Sequence, residues 1–373
     1  MDRGKIREWQ DNSEIDVCDG KKISRATNVT NIRSISNKET DAIINQEFLA
    51  IHHQYGHISF KRLIDMAKVG IIPSKFAKCR VPRYLACMYA KAIKRKWRDK
   101  PRKDYVPPVT KRSGQCVLVD QLVSHTPGLV AQISGILTTK RYKYVTVFVD
   151  EYSKIGYTYL QTGATADETI LAKRAFEAFS RNHGVTIESY NADNGIFRSN
   201  KWVQACRQDN QPLSFAGVNA HHQNGLAERR IRSLQDMTRA MLIHASTLWP
   251  KNVDTFLWPY AMRMACDAMN ETPLPSHPSK WTPTQIFSAT ATQHNRKHFH
   301  PFGCPVHVLD SALQAGKPHH KWSKRSRVGI YLGRSPLHAR NVALVLDRQK
   351  GFVSPQFHVQ FDPQFDTVKH QTS

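Results

Sequence analysis

Apolar residues recur at helical spacing from about residue 46. In the stretch FKRLIDMAKVGIIP, Phe60, Leu63 and Ala67 fall on one side of a helix, and Pro73 is expected to follow its end. Residues 46–90 are therefore predicted to form a small helical module.

A strand pattern begins at about residue 115. The runs CVLVD, YKYVTVFVDEY and KIGYTYLQT are typical of strands. The next segment, TADETILAKRAFEAF, predicts a helix with a capping box from Thr165 to Glu168 and an apolar stripe that includes Leu171 and Phe176. Strand, helix, strand and a long helix follow. This order predicts an α/β domain over residues 115–285, with a five-stranded mixed sheet and flanking helices.

Three further segments complete the organisation. Residues 1–45 are polar and poor in aromatics, which predicts a poorly ordered lead-in. Residues 91–114 are dense in Lys and Arg and are interrupted by prolines, so we expect an extended basic linker. Residues 296–365 contain several strand-like runs, which predict a small β domain.

The charge of the chain indicates a polyanionic partner. Its 54 Lys and Arg against 30 Asp and Glu give a net charge of +24, which favours nucleic acid. A membrane is not expected as partner, because no apolar run approaches the roughly 18 residues that span a bilayer. The N-terminus lacks the apolar core of a signal peptide, and the seven cysteines are scattered, so we expect a protein that is not secreted.

Three acidic residues stand out in this basic chain. Asp120 and Asp193 end apolar runs, at points where we expect a strand to end and a loop to begin. Glu228 lies one turn into the long helix, 35 positions after Asp193. If the fold gathers them at one sheet edge, their repulsion raises at least one pKa. Two divalent cations would relieve that repulsion and support in-line phosphoryl transfer. Ligands that are all oxygen favour Mg²⁺ or Mn²⁺.

An ordinary structural interpretation of the same acids remains open. Asp before Asn-Gly is common in turns, and Glu followed by Arg is a common surface pair on helices. Asp150 is a rival acid that we expect to be structural. Glu228 and Arg232 share one helix face, which suits a DNA backbone lying across it.

The motifs together resemble a known family. VLVDQL, VTVFVDEYSK, ADNGIF and HHQNGLAERRIRSL match, in order and spacing, the integrase region of Copia-type LTR retrotransposon Gag-Pol polyproteins. The resemblance implies an RNase H-like core with Asp120, Asp193 and Glu228 as catalytic metal ligands. It also implies that Asn224 and Arg229 contact DNA, and that Mg²⁺ or Mn²⁺ is required.

The same resemblance implies a setting for the activity. The partners would be the cDNA ends of the element and target DNA, and the protein would act as a homo-multimer. The location would be the nucleus or a cytoplasmic virus-like particle. We expect the chain to be a fragment of a polyprotein, a truncated element or a captured host copy.

Both flanks resemble modules of that family. HHQYGHISFKRL resembles the pre-integrase zinc module, which implies zinc ligands at His52, His57 and Cys87. Tyr84 occupies the place of the other cysteine, and a structural zinc site normally has four N or S ligands, so zinc is doubtful. The alternative is a pair of helix histidines without metal. The β-rich end resembles an SH3-like barrel that contacts DNA or a partner, or only packs on the core.

The main hypothesis is a metal-dependent DNA strand transferase of the integrase type. One alternative is a catalytically inactive, degenerate or captured protein that still binds nucleic acid. Another is an RNase H-like nuclease or a cut-and-paste transposase.

Overall fold

The computed structural model describes residues 42–92, 110–132, 136–215, 224–275, 277–291, 298–339 and 341–369. Most of the predicted lead-in and of the basic linker lies outside these ranges. So does the segment 216–223, which contains most of the loop that precedes the long helix.

The N-terminal module is helical, as its apolar spacing predicts. Its elements are α1 (residues 42–54), α2 (Phe60–Lys68), a short 3-10 helix (Ser74–Lys78) and α3 (Leu85–Ala90). The Ser59 side chain caps α2 by accepting a hydrogen bond from the backbone N–H of Arg62. Phe48 stacks on Phe76 with ring centroids 5.2 Å apart, and both rings are buried. Aromatic packing therefore supplies the core of this module.

The central sheet has five strands in the order β3-β2-β1-β4-β5. They are β1 (Val117–Leu129), β2 (Arg141–Asp150), β3 (Gly156–Gln161), β4 (Tyr190–Ala192) and β5 (Leu213–Phe215). The first three strands pair antiparallel, whereas β4 is parallel to both β1 and β5. This mixed sheet confirms the RNase H-like fold that the resemblance implies.

Helices cover both faces of that sheet. They are α4 (Ala166–Asn182), α5 (Asn200–Gln208), α6 (Gly225–Leu248), α7 (Trp258–Asn270) and α8 (Pro283–Ser288), with short 3-10 turns at Gly195–Arg198 and Thr255–Leu257. Because strand side chains alternate, Phe148 packs among the side chains of α4 and α5, while Val147 packs with α6 and α7. Within the described ranges, no helix combines the length and the apolar character needed to cross a membrane.

A second, antiparallel sheet lies near the C-terminus, with the strand order β10-β6-β7-β8-β9. Its elements are β6 (Pro305–Leu309), α9 (Ser311–Gln314), β7 (Ser326–Arg334), β8 (Ala343–Asp347), β9 (Val353–Gln356) and β10 (Val359–Phe361). One hydrophobic core joins the helical module, α6 and this sheet, with Phe60, Leu234 and Val306 among its buried members. The proposed domain boundaries at residues 90, 115, 285 and 296 stay predictions.

Helix α4 departs from its predicted details. Thr165 accepts a hydrogen bond from the Glu168 N–H at 3.2 Å, but the Glu168 carboxylate accepts from the backbone of Thr162 and Gly163 instead of closing a capping box. Leu171 is 50% exposed, so its predicted place in the buried stripe is wrong. Phe176 is buried as expected, stacked on Phe148 at 4.7 Å.

The start of β3 is pinned by a buried polar network. Arg230 donates to the Lys154 carbonyl at 2.6 Å and to Asn270 Oδ1 at 3.0 Å, and the Asn270 side chain also bonds the N–H and the carbonyl of Gly156. A Cβ on Gly156 would lie 2.7 Å from Arg230 Nε. Since these hydrogen bonds hold the guanidinium, it has little freedom to move aside.

We therefore expect Gly156→Ala to lower the free energy of unfolding by roughly 1–3 kcal/mol, as overpacking of a filled core does. Urea denaturation followed by circular dichroism measures this. The control is Gly225→Ala, where the nearest atom to a new Cβ is the flexible end of Arg229 at 3.4 Å. Equal stability of Gly156→Ala and the wild type would contradict this account of the network.

Candidate active site

The parallel pairing of β1 with β4 brings two of the three acids together. Val119 lies opposite Ala192 in this register, so the next residues, Asp120 and Asp193, follow side by side. Adjacent strands are about 4.8 Å apart. Strand β4 ends at Ala192, but β1 continues to Leu129, so the expectation that Asp120 ends its strand is wrong. Asp120 lies instead where β1 loses its parallel neighbour.

The third acid is carried by the first turn of α6. Glu228 is the fourth residue of this helix and is half-buried. Asn224, which precedes the helix, donates from its side-chain amide to the Val119 carbonyl at 3.3 Å. This hydrogen bond ties the start of α6 to the residue next to Asp120. Glu228 lies near enough to Asp120 for its charge to contribute to the raised pKa of that carboxyl.

The electrostatics of Asp120 reflect this arrangement. The pKa of Asp120 is raised to about 6. Burial is the main cause, the negative charges of Asp193 and Glu228 act in the same direction, and the hydrogen bond from the Gln121 N–H acts against them. A bound cation would favour the ionised form of this carboxyl, because its positive charge offsets the repulsion from the two other acids. The donors are all carboxylate oxygens, which fit Mg²⁺ or Mn²⁺ rather than zinc.

Asp150 has a structural role, as expected. Its carboxylate accepts hydrogen bonds from the Gly114 N–H at 2.8 Å and from both the N–H and the hydroxyl of Ser153, at 2.7 and 2.6 Å. The residue is fully buried and pairs with Val117, three positions before Asp120 on β1. It holds the turn between β2 and β3.

The predicted DNA-contact residues differ in exposure. Arg229 and Arg232 are exposed on α6 close to Glu228, whereas the intervening Arg230 is buried. Asn224 is also buried, and its hydrogen bond gives it a role inside the protein. Contact of Asn224, Arg229 and Arg232 with DNA stays a prediction.

The structure brings His52, His57 and Cys87 together, and we call them the His–Cys cluster. Cys87 Sγ lies 3.1 Å from His52 Nε2 and 3.6 Å from His57 Nδ1. It is the one group of three or more potential metal ligands in the described residues whose ligand atoms all lie within 4.8 Å of one another. Burial holds the pKa of both histidines well below the usual value, so both rings are neutral, as metal binding requires. The nitrogen and sulfur donors fit zinc.

His244 is a neighbour of this cluster that the sequence alone does not predict. The Tyr84 hydroxyl is hydrogen-bonded to Nδ1 of His244, which lies on α6. The His244 ring is also 4.1 Å from the His53 ring. A histidine inside an amphipathic helix carries no local signal of this role, because only the packing of α3 on α6 brings it to the cluster.

Comparisons with known proteins agree with the motifs. No protein-family profile matches the chain. The retrovirus-related Pol polyprotein from transposon RE1 of Arabidopsis thaliana is 27% identical over 231 residues, which are 61% of this chain. The corresponding polyprotein from transposon RE2 of the same plant is 25% identical over 233 residues, also 61% of this chain. The chain is related to transposon Pol polyproteins. It spans only 14% and 15% of the lengths of these two relatives.

Solved structures with similarity to the chain include catalytic core domains of retroviral integrases. The catalytic core domain of HTLV-2 integrase, solved with magnesium, is 19% identical with a TM-score of 0.34, and the match covers 47% of this chain and 97% of that one. The catalytic core domain of BIV integrase is 16% identical with a TM-score of 0.32, covering 47% and 93%. The fold of this chain is established by its own strand order and strand directions.

The raised pKa of Asp120 generates a prediction for the metal-free protein. The folded-state pKa of about 6 exceeds the usual 3.8, so wild-type stability falls as the pH rises from about 4 to above 6. Asp120→Asn removes this ionisation. At pH 8 in EDTA the variant is expected to be more stable than the wild type by roughly 1–3 kcal/mol, with the difference shrinking toward pH 4. Urea denaturation across that pH range measures it.

The control for this prediction is Asp167→Asn, an exposed surface carboxylate paired with Lys201. It is expected to change stability little at either pH. A difference between Asp120→Asn and the wild type that does not vary with pH would show that Asp120 titrates normally.

Proposed function

We propose that the chain is the catalytic region of a retrotransposon integrase that transfers DNA strands. The observation that carries this proposal is the register of β1 and β4, which sets Asp120 beside Asp193, with Glu228 held close by the Asn224 hydrogen bond. The relationship to transposon Pol polyproteins supports it. The proposed partners are cDNA ends of an element and target DNA, bound by a homo-multimer in the nucleus or in a virus-like particle.

The proposed roles follow from the position of each acid. Asp120 and Asp193 would share one Mg²⁺ or Mn²⁺ ion, and Glu228 would complete the site for a second. When bound, such ions polarise the phosphodiester and activate the attacking 3′-hydroxyl. The protein fixes the carboxylates on a rigid sheet and on the helix tied to it. Partial burial of Asp120 keeps that side of the site poor in water, which strengthens its attraction for cations.

Arginines beside the acids would hold the DNA backbone. Arg229 and Arg232 are exposed on the same helix that carries Glu228. Phosphate contacts of this kind fix the position of the duplex without reading its sequence. The net charge of +24 supplies a general attraction for the polyanion.

A second DNA contact is proposed in residues 317–327, which we call the basic segment. Its sequence, KPHHKWSKRSR, contains no acidic residue. Trp322 within it is 84% exposed, and the Lys321 ammonium lies 5.4 Å from the centroid of the indole ring. An exposed aromatic ring among cations suits a nucleic acid strand, since bases stack on the ring while the cations contact phosphates. We therefore assign the basic segment to DNA binding.

Strand transfer tests the catalytic proposal directly. With Mn²⁺ and a labelled oligonucleotide that carries the ends of the element, the wild type is expected to form joined product. Asp193→Asn is expected to reduce the product at least ~100-fold, because loss of a metal ligand removes several kcal/mol of transition-state stabilisation. The matched control, Asp167→Asn, changes an exposed surface carboxylate and is expected to keep full activity.

Binding measurements separate this proposal from the alternative of an inactive nucleic-acid-binding protein. DNA affinity is expected to survive Asp193→Asn and to fall steeply with salt in both proteins, because phosphate contacts release counterions. Equal product from the wild type and Asp193→Asn would remove the catalytic assignment. No product from a well-folded wild type that still binds DNA would favour the alternative.

For the basic segment, Trp322→Ala is expected to weaken binding to single-stranded DNA roughly 5- to 150-fold, which corresponds to the ~1–3 kcal/mol of one stacked base. Trp322→Phe is expected to retain most of the affinity, because it keeps an aromatic ring. Fluorescence anisotropy with a labelled oligonucleotide measures both variants.

The control for exposed apolar surface is Leu171→Ala on α4, which lies outside the basic segment. It is expected to leave the affinity unchanged. If Trp322→Ala bound single-stranded DNA as tightly as the wild type, the stacking role of this segment would be refuted.

A further inference from the structure

The His–Cys cluster supplies three donors from two helical segments. His52 lies on α1, His57 follows that helix, and Cys87 lies on α3. The two histidines are almost fully buried, and Cys87 is partly exposed. Two imidazoles and one thiolate at mutual distances below 4.8 Å fit a zinc-like ion. The remaining question is what occupies the fourth coordination position.

Tyr84 lies three residues before Cys87, but its hydroxyl forms a hydrogen bond outside the His–Cys cluster. Its hydroxyl is hydrogen-bonded to His244 Nδ1 on α6. Its ring lies 5.6 Å from the His57 ring and 4.8 Å from the His53 ring, so it forms one side of the cluster. The phenol therefore connects α3 to the core helix α6 and does not replace a thiolate.

Two other histidines line the same space with unsatisfied nitrogens. His53 Nε2 and His244 Nε2 are buried and have no hydrogen-bond partner among the described residues. The His244 ring is 5.1 Å from the His57 ring. Buried polar atoms without a protein partner are commonly satisfied by a water molecule or an ion. Neither residue belongs to the compact group of three ligands. The His53 ring lies 5.2 Å from the His57 ring, so both residues border the cluster.

We propose that His52, His57 and Cys87 bind one divalent transition metal ion through three protein ligands, and that a water molecule or a small anion takes the fourth position. His53 and His244 hydrogen-bond this exchangeable ligand. Closed structural zinc sites have four protein ligands, whereas three protein ligands and one exchangeable position allow external molecules to reach the metal. The proposal is independent of strand transfer, since it concerns a different set of residues.

Cobalt substitution tests the proposal on the whole chain. Co²⁺ added to the metal-free wild type is expected to give a sulfur-to-cobalt absorption band at one equivalent. Added azide or cyanide is expected to shift the visible bands, because it replaces the exchangeable ligand. Cys87→Ser is expected to lose the sulfur band, and Cys79→Ser, which changes a thiol outside the cluster, is expected to keep it.

Two variants at position 84 examine the fourth position itself. Tyr84→Cys supplies a second thiolate, so the sulfur band is expected to increase about twofold and the response to anions to disappear, as a four-ligand site requires. Tyr84→Phe is expected to keep the response to anions. The proposal is overturned if wild-type Co²⁺ bands do not respond to azide or cyanide, if they depend on the Tyr84 hydroxyl, or if neither Co²⁺ nor Zn²⁺ binds.

Discussion

The parallel pairing of β1 with β4 is the constraint on which the rest of the site depends. It involves only three residues of each strand, yet it decides that Asp120 and Asp193 are neighbours. A shift of this register by one position would turn one of the two side chains to the opposite face of the sheet. The hydrogen bond from Asn224 to Val119 then couples α6 to the same strand. One strand pairing and one hydrogen bond from a side chain thus bring three acids that are distant along the chain into the same region.

The concentration of negative charge at this point opposes folding, and its surroundings show how the chain tolerates it. The pKa of Asp120 is raised, because this carboxyl is desolvated and lies close to the negative charges of Asp193 and Glu228. Nearby backbone N–H groups of Gln121 and Asn194 each donate to one of the aspartates, at 2.7 Å. Arg229 and Arg232, which are close to Glu228 in the sequence, are exposed, whereas the Arg230 side chain is buried. Within the described residues, none of the three carboxylates forms an ion pair, so the site keeps its negative charge for a ligand.

Much of this could be predicted from local pattern, and the exceptions have physical reasons. The strands, the helices and their order follow from periodicity within single segments. The same periodicity indicates which predicted element carries each acid. The length of β1 does not follow from such a pattern, because the segment after Asp120, QLVSHTPGL, contains Pro127 and Gly128 and pairs only with β2. Leu171 was misplaced because Lys173, with its ammonium paired to Glu177 at 2.9 Å, takes a buried place on α4. The role of His244 depends on contacts across 160 positions of sequence, which no local pattern contains.

The shared hydrophobic core allows the N-terminal module to keep its fold without a complete set of metal ligands. Phe48 packs against both Phe60 and Phe76, and all three belong to the same core as α6 and the second sheet. Apolar burial therefore supports the fold of this module independently of any bound ion. The architecture tolerates a tyrosine at position 84 because the aromatic core beneath it is complete.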